Sequence, residues 1–563
     1  MTLHRTTVTK RLFALLASTS LIMTMGACSS ANETQSHETD SPSTATATDA
    51  GNVVIFTPSD GITISQQTPL SKWEKLVPEI VSSLKDNDVK GANITVKAAP
   101  SLDKQSQSVQ DYVVNHVNST SDDADSSDKT TLVVAPVADT TESDRQYGDY
   151  VSHAITWNGS SSDEDAQDYA QSAERLVSAL QLAQNEGMKV VLVSNTLQGF
   201  TPDVYVPMTT AEQIGQLQAK QLVSKLELDK TSSDNPKHIE VLLPYDAANE
   251  SGSTADATFA QGVFKGIWSV LGPYFKDGKA VSPSGTLTSS SAESDWVSVA
   301  FDAAKSERVK STLAGRLGMD KDTSRHTRID GIISCNDYVA GYASEELNDL
   351  GYTGSAADIN PSITISGIVD NITGKKDLKK QSVPDPAQAP ESDDGDSDTE
   401  DTSDSLDEQN SQWPIITGYG AYVSSIPNIV NGKQWMTALE NRKTLASDIA
   451  QTCVQLNTSG KLAKLTFISS VAMEDMKVPT IQEEALAVSA SNLKKTLIEP
   501  GYISLAEAGL WTGNKVIRII RHRKSDKRWK KLASVEPPRR KPAFYVAAGT
   551  FLPPIIAFYF FGT

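Results

Sequence analysis

Ile329-Asp330-Gly331-Ile332-Ile333-Ser334-Cys335-Asn336-Asp337-Tyr338-Val339-Ala340-Gly341-Tyr342 holds a short apolar run that breaks into polar residues and then continues at helical spacing through Leu347. The pattern predicts a buried strand over 331–333, a polar turn, and a helix from Tyr338. In an open α/β sheet, ligands sit outside the carboxyl ends of the strands, where helix N-termini and loop side chains converge. Asn336 and Asp337 fall at that place. An Asp there also caps a helix, for about 1 kcal/mol, so ligand contact and helix cap both stand on these residues alone.

Outward from this stretch the chain alternates between β-branched runs and amphipathic segments. Strands are predicted at 53–56, 94–96, 131–134 and 190–193, with helices over 73–84, 109–117 and 166–187. A second round has strands at 239–243, 331–333 and 363–365, with helices over 211–226, 259–271, 297–317 and 338–350. Strand and helix in alternation build a parallel sheet covered on both faces. The expected fold class is therefore α/β, two doubly wound parallel-sheet lobes joined by a hinge, with a ligand cleft between them. Trp413 to Tyr422 reads as a further strand ending in glycines, and helices are expected through Ile429 and from Thr444 to Leu456.

Composition sets the frame. The chain has 563 residues, room for two or three domains, and a formal charge of −19. Residues 514–541 hold twelve Lys or Arg against Asp526 and Glu536, which leaves −29 on the rest. An acidic body excludes nucleic acid as the expected partner, because that requires a basic face. Three cysteines, Cys28, Cys335 and Cys453, make neither a disulfide framework nor a zinc spacing. Cys335 and Cys453 lie in apolar patterns and read as buried thiols.

Residues 1–28 begin with His4, Arg5, Lys10 and Arg11, run through apolar Leu12 to Met25, and end Gly26-Ala27-Cys28. That is the form of a secretory signal. Cys28 after Gly-Ala resembles the bacterial lipoprotein box, which implies lipidation at Cys28 and a lipid-anchored body facing outside the cytoplasm. Residues 29–51 lack large apolar side chains and read as a disordered tether. Lobe 1 is placed at 52–206 with 418–512, and lobe 2 at 207–417, containing a disordered acidic insertion at 382–412. Residues 391–408 carry ten acids and no base, without the loop spacing of a calcium site. Residues 513–563 form a basic and then apolar tail. Pro553-Pro554 would break a lone spanning helix there, so a surface-lying segment, a true span and frame-shifted tail sequence all remain open, with membrane association preferred.

The order of these pieces resembles the periplasmic binding protein type 1 family, in particular the xylose and multiple-sugar solute-binding lipoproteins of ABC importers. The resemblance covers about residues 52–510 without the acidic insertion. It is carried by Gly187-Met188-Lys189-Val190-Val191-Leu192-Val193-Ser194-Asn195, Pro202-Asp203-Val204-Tyr205, Glu212-Gln213-Ile214-Gly215, Asp295-Trp296, Ser334-Cys335-Asn336-Asp337 and Pro414-Ile415-Ile416-Thr417-Gly418. The segments 429–437 and 478–502 complete it. It implies a receptor that closes by hinge motion on a sugar and presents it to an ABC permease in the membrane. Carboxylates, amides and Arg bind sugar hydroxyls, and aromatic rings cover the sugar faces. Asn336 and Asp337 match the family's Asn-Asp, which favours ligand contact over capping. Trp296 matches an aromatic position near the cleft.

The chain also departs from the pattern. Asn195-Thr196 stands where Asp-Arg is usual, and Gly418-Tyr419-Gly420 where Gly-Gln-Asp is usual. The expected ligand set is therefore Asn336, Asp337, Asn195, Asn249, Trp296 and Tyr419, a pocket less charged than is usual for the family. A ligand sensor or scaffold with the same fold is the alternative. No Gly-x-Ser-x-Gly, His-Glu-x-x-His or Walker-type motif occurs, so no enzyme, no cofactor and no metal are expected.

Overall fold

Parallel strands buried on both faces read as continuous apolar runs, and Val53-Val54-Ile55-Phe56 and Val190-Val191-Leu192-Val193 are of this kind. The computed structural model describes residues 50–60, 69–119, 129–150, 152–157, 164–245, 257–321, 325–356, 407–473 and 476–508. In chain order they form β1 (Asn52–Pro58), α1 (Trp73–Asp86), β2 (Ile94–Ala99), α2 (Leu102–Ser119), β3 (Thr130–Val134), α3 (Glu142–Arg145), β4 (Ala154–Ile155), α4 (Glu164–Asn185), β5 (Lys189–Val193), β6 (Thr196–Leu197) and β7 (Val204–Val206). Then come α5 (Ala211–Leu226), β8 (Lys237–Val241), β9 (Leu243–Pro244), α6 (Thr258–Lys276), β10 (Ala280–Val281), β11 (Ala300–Phe301), α7 (Ser306–Arg316), β12 (Gly331–Ile333), α8 (Asp337–Asp349), β13 (Ile415–Thr417), a helix at Ile426–Asn431 and β14 (Met436–Leu439). A helix at Arg442–Thr458, β15 (Ile468–Met473), β16 (Met476–Ile481) and β17 (Leu486–Ser489) close the chain.

Two principal sheets result. The first runs β15-β16-β7-β5-β3-β1-β2 and the second β10-β8-β12-β13-β14-β17. All neighbours are parallel except β15 with β16 and β14 with β17. Within each lobe the first five parallel strands follow the order 2-1-3-4-5, the doubly wound order whose switch point lies between the first and third strands. Alternate residues of β1 enter opposite cores: Val53 and Ile55 pack with α1 and the helix Arg442–Thr458, while Val54 and Phe56 pack with α2 and α4. The second sheet lies in a core built from α5, α6, α7 and α8. The chain is thus α/β with two doubly wound lobes, as expected.

The chain passes between the sheets three times: between β7 and α5, at Glu440–Asn441 before the helix Arg442–Thr458, and between β16 and β17. Lobe 2 therefore extends to Leu439 and does not end at Thr417. Met436–Leu439 is wholly buried and pairs with β13 and β17, so the glycine-bearing turn after β13 is a cleft loop and the hinge comes later. Beyond β17, Leu493, Leu497, Tyr502 and Ile503 also pack with Leu439 of this lobe. The helix expected over 297–317 begins only at Ser306: Val297 and Ser298 belong to the turn Glu293–Ser298, and Ala300–Phe301 then turns extended and pairs with β9. The acidic insertion ends before Asp407, whose carboxylate accepts from the His326 backbone N–H at 2.6 Å and meets Nδ1 of its ring at 2.9 Å. The His326 backbone bond is the main influence that holds Asp407 below the usual carboxylate range.

The leader, Cys28, residues 29–49 of the tether, the strand expected at 363–365, the acids before 407 and the tail from 509 lie outside the described residues. Cys335 and Cys453 are buried, separate thiols, pushed by burial up to about 12. Among the described residues no helix is long and apolar enough to cross a membrane.

Candidate functional site between the lobes

β12 delivers its polar turn to the crevice. Cys335 takes a left-handed backbone with φ 65°, which leaves Asn336 extended at the start of α8. Asn336, and not Asp337, is the cap: its Oδ1 accepts the Val339 N–H at 2.9 Å. Its Nδ2 reaches across the cleft and donates to Gln146 Oε1 at 3.0 Å. Both ends of this fully buried amide are therefore engaged.

Asp337 is the first residue of α8 and is 1 % exposed. Its Oδ1 accepts from Gln434 Nε2 at 2.6 Å, and its Oδ2 from Thr437 Oγ1 at 2.7 Å and the Tyr422 N–H at 3.0 Å. Burial pushes this carboxyl up to about 6, and the donated bonds from Thr437, Gln434 and the 421–422 backbone moderate the rise. The carboxylate organises the turn after β13. Gly418 is required there, since a Cβ would strike Asp337 Oδ1 and lie 2.7 Å from Gln434 Nε2.

The other expected residues occupy separate places. Asn195 in lobe 1 is 5 % exposed; its Oδ1 accepts from the His153 N–H and its Nδ2 donates to the Pro136 carbonyl, both at 2.8 Å. It fastens the loops after β3 and β5. Tyr419 is buried, and its hydroxyl donates to Glu440 Oε1 at 3.1 Å. Trp296 lies in the turn Glu293–Ser298, half-buried, edge-on to Tyr245 at 5.1 Å. Asn249 lies outside the described residues. Of the five described residues of this set, Asn336, Asp337 and Tyr419 are brought together, through the 418–422 turn; Asp337 N–H donates to the Tyr419 carbonyl at 2.8 Å.

Two further groups carry the site and were not expected. Glu440, at the second crossing, accepts the Thr209 N–H at 2.8 Å from the first crossing, so one buried carboxylate links two hinge segments. Burial holds its carboxyl above the ordinary range, against the bonds from Thr209 and Tyr419. A lone Glu closing the apolar run 436–439 was its available signal. The second group is Gln146 and Tyr147, just after α3. Gln146 Nε2 donates to the Ala303 carbonyl at 3.2 Å, and Tyr422 Oη donates to the Gln146 carbonyl at 2.9 Å. Tyr147 packs edge-on to Phe259 at 5.0 Å and near Tyr419 at 6.4 Å. Beside it remains a cavity of about 10 Å³, room for a single water, lined by Ser71, Tyr147, Tyr150, Thr209, Tyr419 and Glu440 among others. Among the described residues no group of three or more His, Cys, Asp or Glu is placed to hold a metal.

Fold and site together define a two-lobed α/β clamp whose strand ends meet across a hinged cleft. No family model and no curated protein matches the chain. Among solved structures it is similar to an ABC transporter solute-binding protein from Clostridium phytofermentans with bound β-D-glucose, at 17% identity and TM-score 0.45, over 81% of this chain and 99% of that one. It is also similar to a carbohydrate transporter solute-binding protein from Chloroflexus aurantiacus in complex with D-glucose, at 16% identity and TM-score 0.43, over 82% and 98%. A sugar ABC transporter from Actinomyces odontolyticus aligns at 11% identity and TM-score 0.44, over 80% and 98%. These are likenesses; the fold stated above rests on strand order and pairing.

Proposed function

We propose that the chain is a lipid-anchored extracytoplasmic solute-binding protein of an ABC importer, which takes a sugar or sugar-like ligand in the interlobe cleft. The observation that carries this reading is the pair of parallel sheets in the same 2-1-3-4-5 order, crossed three times, with the loops after β3 and β12 joined at Gln146 and Asn336. Two lobes so connected open and close about the crossings by hinge motion. The donors and acceptors at the cleft are amides, hydroxyls and the carboxylates of Asp337 and Glu440, neither of them ion-paired among the described residues, which suits a neutral polyol better than an ion. Asn336, Asp337, Asn195, Asn249, Trp296 and Tyr419 remain the proposed contacts, the permease the proposed partner, and Cys28 the proposed anchor.

The test is a thermal-shift screen of the full chain against mono- and oligosaccharides. A ligand bound only by the native state raises the melting midpoint by mass action, by ~2.7 kcal/mol of stability at a hundred times Kd. If no saccharide moves the midpoint, the sugar assignment falls. One observation favours the second reading, a ligand-sensing or scaffold lipoprotein without a transport role: Tyr147, Tyr150 and Tyr419 leave no room for a hexose beside Glu440. Sugar-dependent stimulation of a permease and ATPase reconstituted with the protein supports transport, and binding without stimulation supports sensing.

A further inference from the structure

We propose that Gln146 and Tyr147 are a tethered occupant of the cleft, a built-in competitor that ligand must displace. This rests on the cleft being the ligand site, as proposed above. The crevice at the carboxyl ends of β8 and β12 is the switch point of lobe 2, where such folds receive ligands. The Asn336 side-chain amide faces it, and what accepts its proton is Gln146 Oε1 of the opposite lobe. Gln146 makes three hydrogen bonds to lobe 2, with Asn336, the Ala303 carbonyl and Tyr422 Oη, so one residue presents donor and acceptors as a hydroxyl-bearing ligand does.

Tyr147 completes the imitation. It belongs by sequence to lobe 1, yet its ring is 1 % exposed and buried in the hydrophobic core of lobe 2, beside Ile214, Phe259 and Tyr419. An aromatic ring against Phe259 and Tyr419 fills the volume that a sugar ring stacked on those residues would need. The segment is held from behind as well: the Asp149 N–H donates to the Ser71 carbonyl at 2.8 Å, and Tyr150 Oη donates to the Lys72 carbonyl at 2.5 Å. Because the competitor is covalently attached, its effective concentration is high, and apparent ligand affinity is reduced by the fraction of molecules in which it is seated.

Hydrogen exchange on the full chain tests this. Gln146→Ala removes the side-chain bonds to Asn336 and Ala303, and amides of 147–150 and 336–340 are expected to exchange faster together, roughly ten-fold. Amides of β1 and β5 should keep the wild-type rate. Tyr422→Phe, which removes one hydroxyl and no volume to speak of, should accelerate the same two segments by roughly five-fold and serves if the Ala variant fails to fold. D-glucose is the probe for competition. Where the cleft binds it, apparent affinity should rise about ten-fold in Gln146→Ala. If the two segments open together but D-glucose and other saccharides protect neither, the tethered occupant stands and the sugar reading falls. If both segments keep wild-type exchange in folded Gln146→Ala and Tyr422→Phe, the tethered occupant is overturned, whatever saccharides bind.

Discussion

The two ends of β12 carry the same side chain in opposite electrostatic settings. At the entry, Asp330 is 5 % exposed; it accepts the His238 N–H at 2.7 Å and meets Arg328 Nη2 at 3.2 Å. Burial pushes its carboxyl up, but the bonds from His238 and the Arg328 charge outweigh it and the net shift is downward. At the exit, Asp337 is buried as deeply and, among the described residues, meets only neutral donors, so burial wins and the carboxyl rises to about 6. Arg328 pairs with the carboxylate at the base of the sheet, whereas the cation at the carboxyl end of β8, Arg316, donates to the Val241 and Val299 carbonyls and is not paired with Asp337. A buried carboxylate held by neutral donors fixes the 418–422 turn through hydrogen-bond geometry.

The largest expected effects break this contrast at the cleft end. Asp337→Ala removes the acceptor shared by the Gln434 amide, the Thr437 hydroxyl and the Tyr422 N–H, and should cost about 2–4 kcal/mol. Asp330→Ala leaves Arg328 and the His238 N–H with some access to water and should cost about 1–2 kcal/mol. Denaturant midpoints of the two variants give the order, and a larger loss for Asp330→Ala would refute the assignment of Asp337 as the keystone of the turn. Gly418→Ala should cost about 2 kcal/mol, because the new methyl meets a carboxylate with no room to retreat. A melting midpoint equal to wild type in Gly418→Ala would show that the carboxylate does not lie against that Cα.

Local patterns were legible and long-range pairings were not. The apolar run 331–333 and the helix after it were readable because periodicity and a polar break coincide. Asn336 and Asp337 are both good caps, so sequence cannot say which one caps; the left-handed turn at Cys335 decides it. The Gly418-Tyr419-Gly420 turn reads as the end of a lobe, yet β14 follows in the same sheet, a fact carried by pairing with β13 and β17. The hairpin of β15 and β16 was missed, since residues 468–481 hold no Asn-Gly or Asp-Gly signal. Gln146 lies 190 positions from Asn336 in a segment without a motif, and nothing short of the fold brings them together.

The remaining expected effects are in pH. Asp337 binds its proton more tightly folded than unfolded, so its contribution is fully present below the unfolded value of about 3.9 and is lost as pH rises through about 6. Wild type should lose stability relative to Asp337→Asn between pH 4 and 6, with a slope approaching but not exceeding about 1.4 kcal/mol per pH unit; a flat difference would mean the carboxyl titrates normally. Asp330 must show the reverse sign. Its carboxyl is lowered, so its contribution is present above about 3.9 and is lost as pH falls below that. Urea midpoints of wild type and Asp330→Asn should therefore converge from pH 4 toward pH 2, by less than 1 kcal/mol on the order of a single weak ion pair. If the gap instead widens on acidification, Arg328 and His238 do not hold the ionised form, and the opposition between the two ends of β12 disappears.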